Sequence, residues 1–229
     1  MYNPGGKYMV KLWWNGVPRK VVVDDRIPVD RAGKPLCSRS SDPTELWVSI
    51  IEKAYMKLHG GYDFPGSNSG VDLHALTGWI PDSLHFADAK VAAGKAVKGG
   101  VAKAREREER EWKKLHSAAN FGDCLVTMAT GSMPEAEADA LGLVPTHAYA
   151  VLAVREACGV RLLQVKNPWS KRRWKGAYSC SDGARWTAAL QGALGYDAGA
   201  ALASKDNGIF WIDFDSVRRY LLHVVARHD

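Results

Sequence analysis

The sequence predicts an α+β fold, and three observations carry that prediction. Two strand-like runs near the start, YMVKLWW and KVVVDDRIPV, flank Asn15-Gly16, a step that strongly favours a two-residue hairpin turn. A helical stretch follows, in which Leu46, Trp47, Ile50, Ile51, Ala54, Tyr55 and Leu58 recur at helical spacing. Beyond residue 120, three runs rich in β-branched and aromatic residues, CLVTMAT, HAYAVLAVREA and VRLLQVKNPW, predict an antiparallel sheet.

The remaining elements follow in chain order. A polar turn from Asp30 to Gly33 leads to a short strand around Pro35–Ser38. Asp42-Pro43-Thr44-Glu45 then opens the first helix, with Asp42 as N-cap and proline at the first helical position. Gly60-Gly61 ends that helix, and the loop DFPGSNSG connects it to a short helix near Val71–Leu76. Thr77-Gly78 is the expected boundary between two subdomains, 1–78 and 79–229. From Asp88 to His116, opposite charges three and four residues apart predict an exposed helix, interrupted at Gly99-Gly100. The Ala/Gly-rich stretch from Thr187 to Gly208 has no clear pattern, IFWIDF reads as a closing strand, and Asp215–Leu222 as a short helix.

Composition narrows the function classes. At 229 residues, 46% hydrophobic and 24% charged, the chain has the make-up of a globular protein with a real core, much of it supplied by nine Trp and eight Tyr. A net charge of +6 falls short of a nucleic-acid coat, and no nucleic-acid partner is expected. Between residues 90 and 114, Lys and Arg alternate with Glu106, Glu108, Glu109 and Glu111, which predicts a solvated, salt-bridge-laced helix rather than a phosphate- or lipid-binding surface. Cys37, Cys124, Cys158 and Cys180 are widely separated, which predicts reduced thiols and a cytoplasmic location. No Cys/His cluster has zinc spacing, no phosphate-binding glycine motif occurs, and no stretch approaches the roughly 18 apolar residues of a membrane span.

Two short motifs could carry chemistry: Thr146-His147-Ala148-Tyr149-Ala150-Val151 at the start of one predicted strand, and Lys166-Asn167-Pro168-Trp169 at the end of the next. A hairpin turning near Gly159 brings His147 and Asn167 to the same open end, given a few residues of offset or a bulge. Read alone, the motifs fit either an ordinary strand end and turn, or a base and its orienter. In the second reading an Asn side-chain oxygen fixes the imidazole tautomer and leaves the other ring nitrogen free to take a proton from a thiol. Trp169 would cover that bond and exclude water.

HAYAV, LLQVKNPW and WKGAYS together resemble the calpain family of papain-like cysteine proteases. The resemblance extends upstream through WWNGVPRKVVVDDRIPV, GKPLCSRS, ELWVSIIEKAYMKLHGGY and DLHALTGW, and downstream to NGIFWIDF, leaving out only 88–120 and 187–204. It implies a papain-like calpain core: residues 1–78 as the later part of the first subdomain and 79–229 as the complete second one. It also implies that His147 and Asn167 are the catalytic His and Asn, shielded by Trp169. The family's nucleophile lies in an upstream Gly-Asp-Cys-Trp motif at a helix start, and the present sequence opens after that point, so the chain alone is expected to be inactive.

None of the four cysteines replaces that nucleophile. Cys37 lies in a strand-like segment with no helix start beside it, Cys158 in the hairpin turn and Cys180 in a polar loop. Gly122-Asp123-Cys124 mimics part of the family motif but continues as a strand and lacks the following Trp. The resemblance further implies calcium held by acidic side chains, yet Arg173, Cys180, Asn207 and Ile209 stand where the family has acidic residues; Asp182 and Asp206 remain nearby. No metal or cofactor is therefore expected in this subdomain. Two functions follow: a cysteine endopeptidase core piece acting on protein or peptide substrates once completed, or a non-catalytic calpain-like scaffold whose exposed apolar surface favours a protein partner or self-association.

Overall fold

A computed structural model describes residues 3–84, 100–122 and 124–227. The chain divides into two compact units between Trp79 and Ile80.

In the first unit, β1 (Lys7–Trp14) and β2 (Val17–Asp24) form an antiparallel hairpin in full register. Asn15 and Gly16 both take positive φ, 50° and 72°, as this tight turn demands. Leu12, Val21 and Val23 point from one side of the ribbon and pack with Ile50, Ala54 and Tyr55 of α1 (Trp47–Leu58) and Ala75 of α2 (Ser69–Thr77). Helix α1 ends as Gly60-Gly61 predicts, with the Gly61 N–H donating back to the Met56 carbonyl at 2.8 Å. Its start differs from expectation. Asp42 accepts the Thr44 N–H and closes a separate turn at 42–45, so the helix begins at Trp47 without a side-chain cap. The strand expected at 35–38 is a single bridge, Val29 to Pro35, because Asp30 Oδ1 captures the N–H groups of Ala32 and Lys34 and folds the segment into a turn.

The second unit is built on a six-stranded antiparallel sheet, ordered β3 (Ile80–Leu84), β8 (Leu221–Arg227), β4 (Cys124–Thr130), β5 (Ala148–Ala157), β6 (Val160–Lys166) and β7 (Ile209–Asp213). Leu163 and Val165 of β6 and Phe210 and Ile212 of β7 enter the main core, whereas Leu162 and Trp211, one residue out of phase, enter a second cluster on the opposite face. That second face is covered by α5 (Ala188–Leu194) and α6 (Ala198–Ala203), which the weak Ala/Gly pattern conceals. Their caps are legible afterwards: Thr187 and Asp197 each accept an N–H of the first turn. Helices α4 (Glu135–Leu141) and α7 (Phe214–Tyr220) also belong to this unit.

Helix α3 (Gly100–Phe121) corrects the expectation of a solvated helix. Trp112 and Leu115 are buried in the main core, and Trp112 Nε1 donates to Glu156 at 2.6 Å. Its glutamates serve as docking groups: Glu108 and Glu109 pair with Arg161 of β6, and Glu108 accepts from Arg218 of α7 at 2.8 Å. The expected start of this helix at Asp88, and its interruption at Gly99, lie outside the described residues. No helix among the described residues is long and apolar enough to cross a membrane.

Candidate active site

Strands β5 and β6 carry His147 and Asn167 to one end of the sheet. Pairing runs from Ala157 opposite Val160 to Ala150 opposite Lys166, with an irregularity between Val151 and Ala153 that leaves Leu152 unpaired. This bulge supplies one residue of the offset that the spacing required. It puts Tyr149 and Val151 on the same face as Val154, so His147, with the parity of Tyr149, shares the face that Asn167 inherits from Leu163 and Val165. Extending the ladder past Lys166 sets Asn167 opposite Tyr149, and His147 meets it on the diagonal.

The imidazole Nε2 lies 2.9 Å from Asn167 Oδ1. Which group donates is fixed by the rest of the network. Asn167 Nδ2 donates to the carbonyls of Lys171 at 2.7 Å and, more loosely, Arg172 at 3.5 Å, while Oδ1 accepts the Trp169 N–H at 3.1 Å. An oxygen so placed only accepts, so His147 donates from Nε2, and in the neutral ring the lone pair is on Nδ1. Asn167 is fully buried, His147 half-buried, and the Trp169 ring lies with its centroid 4.5 Å from the imidazole. Trp169 itself remains about half exposed, so it shields one side of the bond only.

Backbone contacts hold the histidine. Thr130, at the end of β4, receives the His147 N–H on Oγ1 at 2.9 Å, donates its own N–H to the His147 carbonyl at 3.0 Å, and gives its hydroxyl proton to the Val144 carbonyl at 2.6 Å. Tyr149 packs edge-on to the imidazole and its hydroxyl accepts the Val144 N–H; burial pushes its phenol above the ordinary range. Asn167 is held through its N–H, which donates to the Gly208 carbonyl at 2.9 Å. Thr130, Gly208 and Asp206 went unread as site-shaping residues in the sequence. The Asp206-Asn207-Gly208 turn signal was the one available clue to two of them.

The cysteines lie elsewhere. Cys124 opens β4, six residues and about 20 Å along the strand from Thr130, and its thiol donates to the Ala118 carbonyl. Cys158 sits in the turn at the opposite end of β5 from His147, about 30 Å of strand away. Cys180 faces a cleft of about 590 Å³ lined also by Asp139, Arg172, Arg173, Lys175 and Asp206, of which His147 is not a part. Cys37 lies in the first unit, ten residues before α1 in the chain, and does not itself open that helix.

Asp206 and Asp182, the carboxylates near the positions where the resemblance implies calcium ligands, do not fit that ion. Arg173 Nε stands 3.3 Å from Asp206 Oδ1, and Asp182 is taken by the Tyr178 N–H and by Arg185, both at 2.9 Å. A guanidinium against the carboxylate repels a dication from the position it would need. Among the described residues, no group of three or more His, Cys, Asp or Glu side chains is placed to hold a metal.

A buried asparagine thus fixes one imidazole nitrogen, under a tryptophan, the arrangement that a base and its orienter require. Comparison with known proteins gives the family. The profile described as "Calpain family cysteine protease" matches residues 2–226. The chain is 52% identical to human Calpain-7 over 219 residues, covering 96% of this chain and 25% of that protein. It is 42% identical over 169 residues to the calpain-like protease palB/RIM13 of Aspergillus oryzae, covering 73% and 18%, and 34% identical over 217 residues to the calpain-type cysteine protease DEK1 of Zea mays, covering 93% and 9%. The chain belongs to the calpain family, and it spans about a quarter of the length of Calpain-7.

Proposed function

We propose that this chain supplies the general base and its orienting residue to a cysteine endopeptidase whose thiol comes from outside residues 1–229. The observation that carries this reading is the His147 Nε2 bond to the buried Asn167 Oδ1, which leaves Nδ1 as a proton acceptor. The cysteine thiol gives its proton to His147 Nδ1 as sulfur bonds to the peptide carbonyl carbon. Collapse of the tetrahedral adduct breaks the C–N bond, and the imidazolium returns that proton to the leaving amine. Water then adds to the thioester by the same route, releasing the acid and restoring the thiol. Asn167 keeps the ring in register through both proton transfers, and Trp169 limits water on one side of the bond.

The substrate class this chemistry serves is a protein or peptide chain. Four cysteines without a disulfide suit a reducing compartment, and the cytoplasm is the proposed location. The test is peptide hydrolysis by the longer protein that carries the nucleophile. Its His147→Ala variant should lose about 10³-fold in kcat/KM and Asn167→Ala about 30-fold, while the 229-residue chain alone turns over nothing. Undiminished hydrolysis by His147→Ala overturns the assignment, and a longer protein with no hydrolysis at all favours the binding scaffold.

A further inference from the structure

We propose that Asp206 is a positioning residue for the His147–Asn167 pair, clamping the loop that aims the Asn167 amide. The inference rests on the functional reading above and deepens it.

The orientation of Asn167 depends on the loop that follows it. Its Nδ2 finds acceptors only where the Lys171 and Arg172 carbonyls are presented, and that presentation takes an unfavourable backbone. Ser170 and Arg172 are non-glycine residues at φ 55° and 64°, a left-handed region that L side chains avoid. Such a loop persists only when its surroundings over-determine it.

Asp206 provides that determination. Its Oδ2 accepts the Arg172 N–H at 2.9 Å, and its Oδ1 accepts the Gly208 N–H at 2.8 Å. Gly208 in turn accepts the Asn167 N–H on its carbonyl at 2.9 Å. One carboxylate therefore joins the two backbone segments that flank Asn167, although they lie far apart in sequence. Arg173 braces the same carboxylate: Nε stands 3.3 Å from Oδ1, and Nη1 donates to the Ala201 carbonyl of α6 at 2.8 Å. Asp206 touches neither His147 nor any reacting atom. It acts through the loop.

The test reads the imidazole directly, by nitrogen-15 NMR of the histidine-labelled 229-residue chain, following exchange of the His147 Nε2 proton with water. Wild type should show a protected Nε2 proton. Asp206→Asn, near-isosteric, retains one acceptor oxygen and turns an NH₂ toward the other N–H group. Exchange should accelerate about tenfold, the loss of one net hydrogen bond's worth of protection. Asp182→Asn makes the same change on a loop carboxylate that accepts the Tyr178 N–H, and it should leave exchange as in wild type. Arg173→Met keeps both backbone bonds of Asp206 and should accelerate exchange about threefold; it decides the matter should Asp206→Asn fail to fold. Unchanged exchange in a folded Asp206→Asn, or in Arg173→Met where that is the deciding variant, overturns the clamp and leaves the His–Asn pair standing. Acceleration by Asp182→Asn equal to that of Asp206→Asn also overturns it. A wild-type ring with no protected Nε2 proton overturns both the pair and the clamp.

Discussion

The two ends of the β5–β6 hairpin are built by opposite rules. At the turn end, Cys158 and Gly159 at φ 51° and 74° close a two-residue turn, and the ladder runs without fault from Ala157 back to Ala153. Arg161 there faces three carboxylates, Glu108, Glu109 and Glu156, so no single partner is indispensable. At the open end the ladder is broken by Leu152, Thr146 enters at φ 49°, and Ser170 and Arg172 are left-handed. Each polar atom of Asn167 has its own assigned partner. The turn end draws stability from redundancy, while the open end gives up local regularity to hold two side chains through specific hydrogen bonds.

The sharpest way to break the contrast is at Gly208. A Cβ there would lie 2.7 Å from the Asn167 carbonyl oxygen and 3.1 Å from the Lys171 nitrogen, both backbone atoms, on a residue at φ 76°. Gly208→Ala should cost about 3 kcal/mol from strain and crowding together. Because the pushed atom belongs to Asn167, it should also remove the protected His147 Nε2 proton. Chemical denaturation and the histidine spectrum check both parts. A destabilised variant with an undisturbed imidazole would show that Asn167 is held by its side chain alone.

At the turn end, Arg161→Met should be mild. Glu109 is held below its ordinary carboxylate range chiefly by the hydrogen bond from Arg161, with smaller help from Lys113. A depressed folded value means that this stabilisation is complete above the unfolded pKa of about 4.3 and is lost as pH falls through the folded value. Arg161→Met should therefore lower Tm by about 3 °C at pH 7, with the difference from wild type shrinking below about pH 4. The Nε2 proton of His147 should keep its wild-type exchange. A thermal melt series across pH checks the sign, and a gap that widens in acid would contradict it.

Sequence alone carried the strands and the hairpin because their signals are local: Asn15-Gly16, alternating β-branched residues, and the paired runs around Cys158-Gly159. It missed β8, the second strand of the sheet order, because LLHVVAR directly follows α7 with no turn residue to mark the change. Helices α5 and α6 were missed because Ala and Gly give a helix no apolar stripe to read; only caps at Thr187 and Asp197 mark them. His147, Asn167 and Trp169 were legible as motifs and as a family resemblance. Their fastening by Thr130 and Asp206 was not, since each of these contacts spans loops that no spacing rule connects.

The smallest expected effect lies between the two ends, at the bulge itself. Tyr149 and Val151 point into the main core, as does Val154, whereas Ala153 packs with the second cluster, so the alternation changes phase across Leu152. Were the ladder regular through Leu152, Ala148 rather than His147 would share the face of Asn167. The bulge thus stores one surplus residue, and removing that residue leaves every neighbouring pair as it is: Ala153 with Gln164, Val151 with Val165, Ala150 with Lys166. Leu152 is 48% exposed, so little buried area goes with it. Its deletion should change stability by no more than about 1 kcal/mol and retain the protected His147 proton. Loss of that proton in a stably folded deletion variant would mean that the local twist of the bulge, and not the parity it restores, aims the histidine at Asn167.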